Sequence, residues 1–187
     1  LFGADGITVH PRPDERHIRY ADVWDLKPLL KTEFNIEGYP SKEFIELVTG
    51  VKPHQVTLVP DTPEALTSNA GWDTVKHLEY LKDVVAGFKS AGIRVSIFIG
   101  TDLKMMEYAA KTGTDRVELY TEPYATGYPT DREKAVLPFV ASAKLARELG
   151  QMPEEQLSPL LQQSAVAGLL TAFLFSHLDW YYGEQAE

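Results

Sequence analysis

The sequence predicts an α/β fold: an incomplete (β/α)8 barrel of the TIM type, followed by a divergent helical tail. Short β-branched runs alternate with longer segments of helical period, which is the pattern of βα units around a parallel sheet. The phrases at 2–7, 90–95 and 112–117 resemble one another, since each reads as a helix end, a glycine turn and a new strand. Eight βα units normally take about 250 residues. Five strand candidates in 187 residues therefore predict a barrel that lacks some strands, and an open doubly wound sheet is the structural alternative.

The strand candidates are short runs at 6–10, 34–37, 55–59, 95–99 and 116–120. Helix candidates alternate with them, at 21–30, 42–51, 75–91, 103–112 and 131–149. The third helix is the clearest because its apolar residues recur at the 3.6-residue period, at Val75, Leu78, Leu81, Val85 and Phe88. Gly92 predicts its C-terminal cap. Ser41 and Thr130 offer side-chain oxygens as N-caps of the second and fifth helices.

The character of the chain changes after Gly150. Residues 151–187 contain five acidic residues and no Lys or Arg, and no strand pattern is visible. We therefore predict two regions: a partial barrel over 1–150 and a divergent helical tail over 151–187. The tail should form helices at 154–163 and 165–182, whose apolar face must be covered or will promote association.

Composition narrows the classes of partner. The formal net charge of −9 argues against a nucleic-acid partner, because neutralising phosphates requires clustered Lys and Arg. A local pocket can still bind small anions. The chain has no cysteine, which excludes disulfides and fits a cytoplasmic protein. Its longest apolar stretch, 165–175, is shorter than the roughly 20 residues of a membrane span, so we predict no membrane partner.

Ionisable residues lie where three candidate strands end. In a parallel barrel the active site forms at the carboxyl ends of the strands. His10 closes the first run, Glu37 closes the second and Glu118 lies in the fifth. Carboxylates at a narrow mouth raise one another's proton affinity, which suits general acid/base work. A structural salt bridge of Glu37 is the alternative.

The loops after the strands are also rich in polar groups. Residues 11–17 contain Arg12 and His17, and could bind a phosphorylated sugar as well as move protons, although a solvated loop is the alternative. The loop at 60–71 has the length and composition of a substrate-closing loop, or of a plain surface loop. No metal-binding constellation or phosphate-binding glycine loop is present in the sequence.

The stretch 3–18, which reads GADGITVHPRPDERHI, resembles the second strand and loop of the pyridoxine 5′-phosphate synthase family. The segments FNIE at 34–37, KPHQVTLVP at 52–60 and VELYT at 117–121 follow in the family's order. The resemblance covers about residues 1–150 and implies that they hold about strands 2 to 6 of the barrel. It implies a TIM barrel that condenses 1-deoxy-D-xylulose 5-phosphate with 3-amino-2-oxopropyl phosphate, forms homo-oligomers, and uses no metal or redox cofactor.

The resemblance also implies roles for individual residues. His10 matches a catalytic base, Glu37 a second acid/base residue and Glu118 a carboxylate that assists proton shuttling. Arg12, His17 and Thr67 match positions that hold the xylulose phosphate. The family's first strand, with its Asn-x-Asp-His motif, and its late strands, with Asn-Ala-Gly-His, have no counterpart here.

Impaired activity is therefore the expectation for this chain. Two alternative functions also remain open. One is a non-catalytic remnant that acts through self-association, and the other is a different barrel enzyme acting on sugar phosphates.

Overall fold

The structure, a computed structural model, describes residues 6–61 and 70–151. Strands and helices alternate along this part of the chain. The elements are β1 (Gly6–Val9), α1 (Tyr20–Leu26), β2 (Glu33–Gly38), α2 (Lys42–Val51), β3 (Gln55–Leu58), α3 (Leu78–Ser90), β4 (Arg94–Ile99), α4 (Leu103–Lys111), β5 (Arg116–Leu119), α5 (Glu122–Gly127) and α6 (Arg132–Glu148).

The strands form one five-stranded sheet in the order β1-β2-β3-β4-β5, and every neighbouring pair is parallel. The prediction of an α/β fold with a parallel sheet is confirmed, and the architecture is consistent with a partial TIM barrel. The doubly wound alternative is wrong for these strands, because that fold reverses its strand order at a switch point. Here each strand lies beside its predecessor in the sequence.

The two faces of the sheet differ in polarity because successive side chains point to opposite sides. One face is apolar, and its most deeply buried side chains include Phe34, Ile36, Val56, Leu58, Val95, Ile97 and Ile99. These pack with Val48 of α2, Leu81 and Val85 of α3 and Met106 of α4 in the main core. The opposite face carries Asn35, Thr57 and Ser96, which are buried and polar. We call this second surface the polar face.

The helix boundaries follow local chemistry. The Ser41 side chain accepts a hydrogen bond from the Phe44 N–H at 3.2 Å, so the predicted N-cap of α2 is confirmed. Gly92 has a φ of +77°, which suits the glycine turn predicted between α3 and β4. The prediction of Thr130 as a cap is wrong. Asp131 caps α6 by accepting from the Lys134 N–H at 3.0 Å.

Two other helix predictions are corrected. The third helix begins at Leu78 rather than at residue 75, because Asp73 holds residues 73–77 in a turn, with its side chain accepting from the Lys76 N–H at 2.9 Å. The short helix α5 was not predicted, although Pro123 stands in its first turn. The tail helices expected at 154–163 and 165–182 lie outside the described residues. None of the described helices is long and apolar enough to cross a membrane.

Candidate active site at the carboxyl end of the sheet

The pairing register explains why distant residues meet on the polar face. Glu37 is paired with Thr57, and Glu118 is paired with Phe98. Thr57 is in turn paired with Ser96 of β4. Since paired residues of parallel strands point to the same side of the sheet, the Glu37 and Glu118 side chains both lie on the polar face, near the ends of their strands.

His10 follows β1 directly and joins Glu37 at this end. Its Nδ1 atom lies 4.0 Å from Glu37 Oε2, and the two side chains are 23% and 18% exposed. That distance is too long for a direct hydrogen bond. The two groups therefore face each other across a gap at the edge of the site, where a small movement or a bound molecule could connect them.

The environment keeps His10 neutral. Burial, and then the positive charges of Arg12, Arg16 and His17, lower the pKa of His10 from 6.5 to about 4. At neutral pH the imidazole therefore carries one free lone pair, which can accept a proton. His17 contributes to this effect from the same loop, while its own side chain is exposed.

The two carboxyl groups are held toward their acid forms. Burial raises the pKa of Glu37 from 4.5 to about 7, and the charge of Asp61 acts in the same direction. Burial and then the charge of Glu37 raise the pKa of Glu118 well above 4.5, while a side-chain hydrogen bond with Thr57 opposes that rise. The site thus combines a neutral base with protonated carboxyl groups, an arrangement suited to moving protons.

A hydrogen-bonded layer of polar side chains lies next to these groups, in the middle of the polar face. The Thr57 hydroxyl donates to Asn35 Oδ1 at 3.2 Å, and the Asn35 amide donates to Thr8 Oγ1 at 3.4 Å. Because Thr57 also interacts with Glu118, the layer links the middle of three strands to the carboxyl groups. Buried amide and hydroxyl groups that have partners avoid the desolvation penalty of isolated ones.

A shallow cleft opens beside His10. Arg12 reaches it from the loop after β1, and its Nη2 atom lies 3.5 Å from Oδ2 of Asp61, which follows β3. The lining residues are His10, Pro11, Arg12, Pro13, Asp14, Tyr20, Gly38, Tyr39, Ser41, Phe44 and Asp61. A guanidinium at the wall of such a cleft can bind a phosphate group.

The structure brings together four of the six residues singled out from the sequence: His10, Glu37, Glu118 and Arg12. The exposed side chain of His17 does not line the cleft, and Thr67 lies outside the described residues. Sequence reasoning missed Asp61 and Thr57. Asp61 is the first ionisable residue after the third strand, so the rule that singled out His10 would also have found it. Within 6–61 and 70–151, no cluster of three or more His, Asp or Glu could hold a metal ion.

Comparison with known proteins identifies relatives of the chain. Residues 1–153 match the model of the family described as "Pyridoxal phosphate biosynthesis protein PdxJ". The chain is 71% identical over 149 residues to pyridoxine 5′-phosphate synthase of Bacteroides thetaiotaomicron, which covers 80% of this chain and 63% of that protein. The corresponding protein of Parabacteroides distasonis is 68% identical over 150 residues, with the same coverage.

A more distant relative, pyridoxine 5′-phosphate synthase of Cytophaga hutchinsonii, is 58% identical over 149 residues. The matched segment covers 80% of this chain and 63% of that relative. The matched part of the chain therefore spans less than two thirds of the length of these relatives.

Proposed function

Because the chain belongs to the PdxJ family of pyridoxal phosphate biosynthesis proteins, we propose that its polar face serves the ring-closing condensation of 1-deoxy-D-xylulose 5-phosphate with 3-amino-2-oxopropyl phosphate. The product is pyridoxine 5′-phosphate. The observation that carries the proposal is the approach of His10 to Glu37, at 4.0 Å, beside an arginine-lined cleft. The activity belongs to vitamin B6 synthesis and makes the protein a transferase.

Each residue at the carboxyl end has a role in this proposal. His10 is the catalytic base, since its neutral imidazole accepts a proton when an imine forms or a C–H bond is broken. Glu37 is the acid, because its carboxyl group retains a proton near neutral pH. Glu118 takes up and returns protons beside Glu37. Condensation and ring closure release water and phosphate, so several proton transfers are needed within one site.

Anion binding falls to the loops in this proposal. Arg12 holds the phosphate of the xylulose substrate through charge-assisted hydrogen bonds, and His17 and Thr67 complete that subsite. The reaction needs no metal or redox cofactor, since every step is a proton transfer, an addition or an elimination.

We extend the proposal to the setting of the enzyme. Its phosphorylated substrates are highly charged, so the reaction belongs in the cytoplasm, where such metabolites are retained.

We also propose a homo-oligomer, supported by large apolar side chains exposed on the helices, such as Trp24 at 50% and Leu137 at 62%. A single-chain mass by light scattering at micromolar concentration would contradict the oligomer.

The test combines turnover with binding. The full chain is incubated with both substrates, and pyridoxine 5′-phosphate is measured by mass spectrometry. H10Q and E37Q should each lower turnover by about 10² to 10⁴-fold, whereas E79Q, on the exposed face of α3, should leave it unchanged. Absence of product from the unsubstituted chain would overturn the proposed activity.

Binding is measured separately by calorimetry with 1-deoxy-D-xylulose 5-phosphate. R12Q should weaken it about 10- to 100-fold, since a charge-assisted hydrogen bond contributes about 1.5–3 kcal/mol. R132Q is the matched control because Arg132 is exposed at the start of α6. Equal affinities for R12Q and R132Q would contradict the role of Arg12.

A further inference from the structure

The ion pair between Arg12 and Asp61 spans one strand of the sheet. Arg12 follows β1 and Asp61 follows β3, whereas the strand order places β2 between them. The 3.5 Å contact from Arg12 Nη2 to Asp61 Oδ2 therefore crosses the carboxyl end of β2, where Glu37 lies. The side chains of Arg12 and Asp61 are only 14% and 8% exposed, so the pair is shielded from solvent on this wall of the cleft.

Asp61 thereby becomes one of the charged groups that face Glu37. The others come from each element around that carboxyl group. They are His10 after β1, Glu118 of β5 and Arg12, whose positive charge acts in the opposite direction to that of Asp61, while Thr57 of β3 is uncharged. Among the ionisable ones, His10 is neutral and Glu118 is held toward its acid form.

We propose that Asp61 is a positioning residue of this site, whose carboxylate is held over the end of β2 by Arg12 and disfavours a second negative charge on Glu37. The inference rests on the proposed function in one respect, the use of Glu37 as a proton donor. A like charge close by and shielded from water is an established way to keep a carboxyl group protonated. Burial of Glu37 is the larger effect, and the charge of Asp61 adds to it.

The experiment follows the titration of Glu37 by NMR of the full chain labelled with ¹³C at the glutamate side-chain carboxyl. E37Q identifies the Glu37 resonance by its disappearance. D61N removes the charge with little change in shape and should lower the midpoint of Glu37 by at least about half a pH unit. D61E retains the charge and should keep the midpoint within about half that change.

D83N is the matched control. It makes the same change of side chain and of net charge at an exposed position of α3, and should leave the midpoint in place. If D61N and D83N give the same midpoint as the unsubstituted chain, the inference is overturned. A purely structural role for the ion pair would lower the stability of D61N without moving this titration.

A second measurement covers the case in which D61N does not fold. In the unsubstituted chain labelled at the aspartate carboxyl, the Asp61 resonance should show an inflection near pH 7 that E37Q abolishes. Absence of that inflection would also overturn the inference.

Neither NMR readout uses substrate, so failure of the proposed function would be seen separately, as absence of product. Where turnover is measurable, D61N should also shift the alkaline limb of kcat/KM to lower pH.

Discussion

The opposite pKa shifts of His10 and Glu37 predict opposite effects on stability. His10 has a folded-state pKa of about 4 against 6.5, so the unfolded chain binds a proton that the native chain does not. Stability from this residue is present above pH 6.5 and is lost as the pH falls toward 4. Glu37 has a folded-state pKa of about 7 against 4.5. Its contribution is present below pH 4.5 and is lost as the pH rises toward 7.

The magnitude follows from the same values. Each pKa unit corresponds to about 1.4 kcal/mol, so each residue changes the free energy of unfolding by about 3 kcal/mol across its window. Both side chains lie at the mouth of the site, with exposed fractions of 23% and 18%. Solvent screening reduces the expected change to about 2 kcal/mol each. Between pH 4.5 and 6.5 the two slopes oppose each other, and these residues together give little pH dependence.

Substitution of either residue should leave the pH dependence of stability that the other residue contributes. Relative to the unsubstituted chain, E37Q should gain about 2 kcal/mol of stability as the pH rises from 4.5 to 7. H10Q should show the reverse, gaining about 2 kcal/mol as the pH falls from 6.5 to 4. Glu118 also favours stability at lower pH. In E37Q the charge of Glu37 no longer raises the pKa of Glu118, so the change at Glu118 adds to the gain of this variant at higher pH.

The assay is urea unfolding followed by tryptophan fluorescence at four pH values from 4 to 7.5. E79Q is the control because Glu79 is exposed on α3 and, among the described residues, forms an ion pair only with nearby Lys82. Its curve should run parallel to that of the unsubstituted chain. If the E37Q and H10Q differences are both independent of pH, or change in the same direction, the assignment of a neutral imidazole beside a protonated carboxyl group is refuted.

Three further predictions concern the framework of the site. G71A should destabilise the protein by about 3 kcal/mol, since a Cβ there would lie 2.3 Å from the Ile99 Cα. G87A, with nothing within 4 Å, should stabilise it by about 0.5–1 kcal/mol because Gly87 lies within a helix. Thermal unfolding of the two variants checks both, and equal melting temperatures would contradict the packing argument. E33Q should lower the free energy of unfolding by about 1 kcal/mol, and by more at low salt, because Glu33 pairs with two arginines. In urea unfolding this loss of stability should exceed that of E79Q, and equal losses would contradict the prediction.

The fold was largely predictable because its strand signals are local. Each strand combines β-branched residues with a glycine turn or a helix end, and these cues depend only on neighbours in the sequence. The start of α3 was predicted too early because Val75 continues the apolar period, while the side chain of Asp73 holds a turn there instead. Periodicity reports which side chains face the core, but it does not report where the helical hydrogen bonds begin.

The site was predictable only in part, for a related reason. His10 and Glu37 could be placed together because both end adjacent strands, and a parallel sheet gathers such ends at one edge. The pairing of Arg12 with Asp61 joins residues 49 positions apart through loops. It depends on how those loops fold back, which no periodic pattern reports. Thr57 was missed because a polar residue inside a short apolar run is indistinguishable in sequence from ordinary strand alternation.

The polar face explains why the carboxyl groups at its end retain their protons. At the amino end, Arg94 and Arg116 pair with Glu33 and also donate to Gln55 Oε1, at 2.9 and 3.2 Å. The middle of the face carries neutral hydroxyl and amide groups such as Thr57. The guanidinium groups of Arg94 and Arg116 are thus engaged at the opposite end from Glu37 and separated from it by uncharged side chains, while Arg12 at the carboxyl end is paired with Asp61. Desolvation is left largely unopposed at the carboxyl end. A cation introduced in the middle of the face, as in T57K, should lower the pKa of Glu37, so that the site loses its acid. Because Thr57 is buried, the fold should survive this substitution only if the lysine ammonium group reaches solvent.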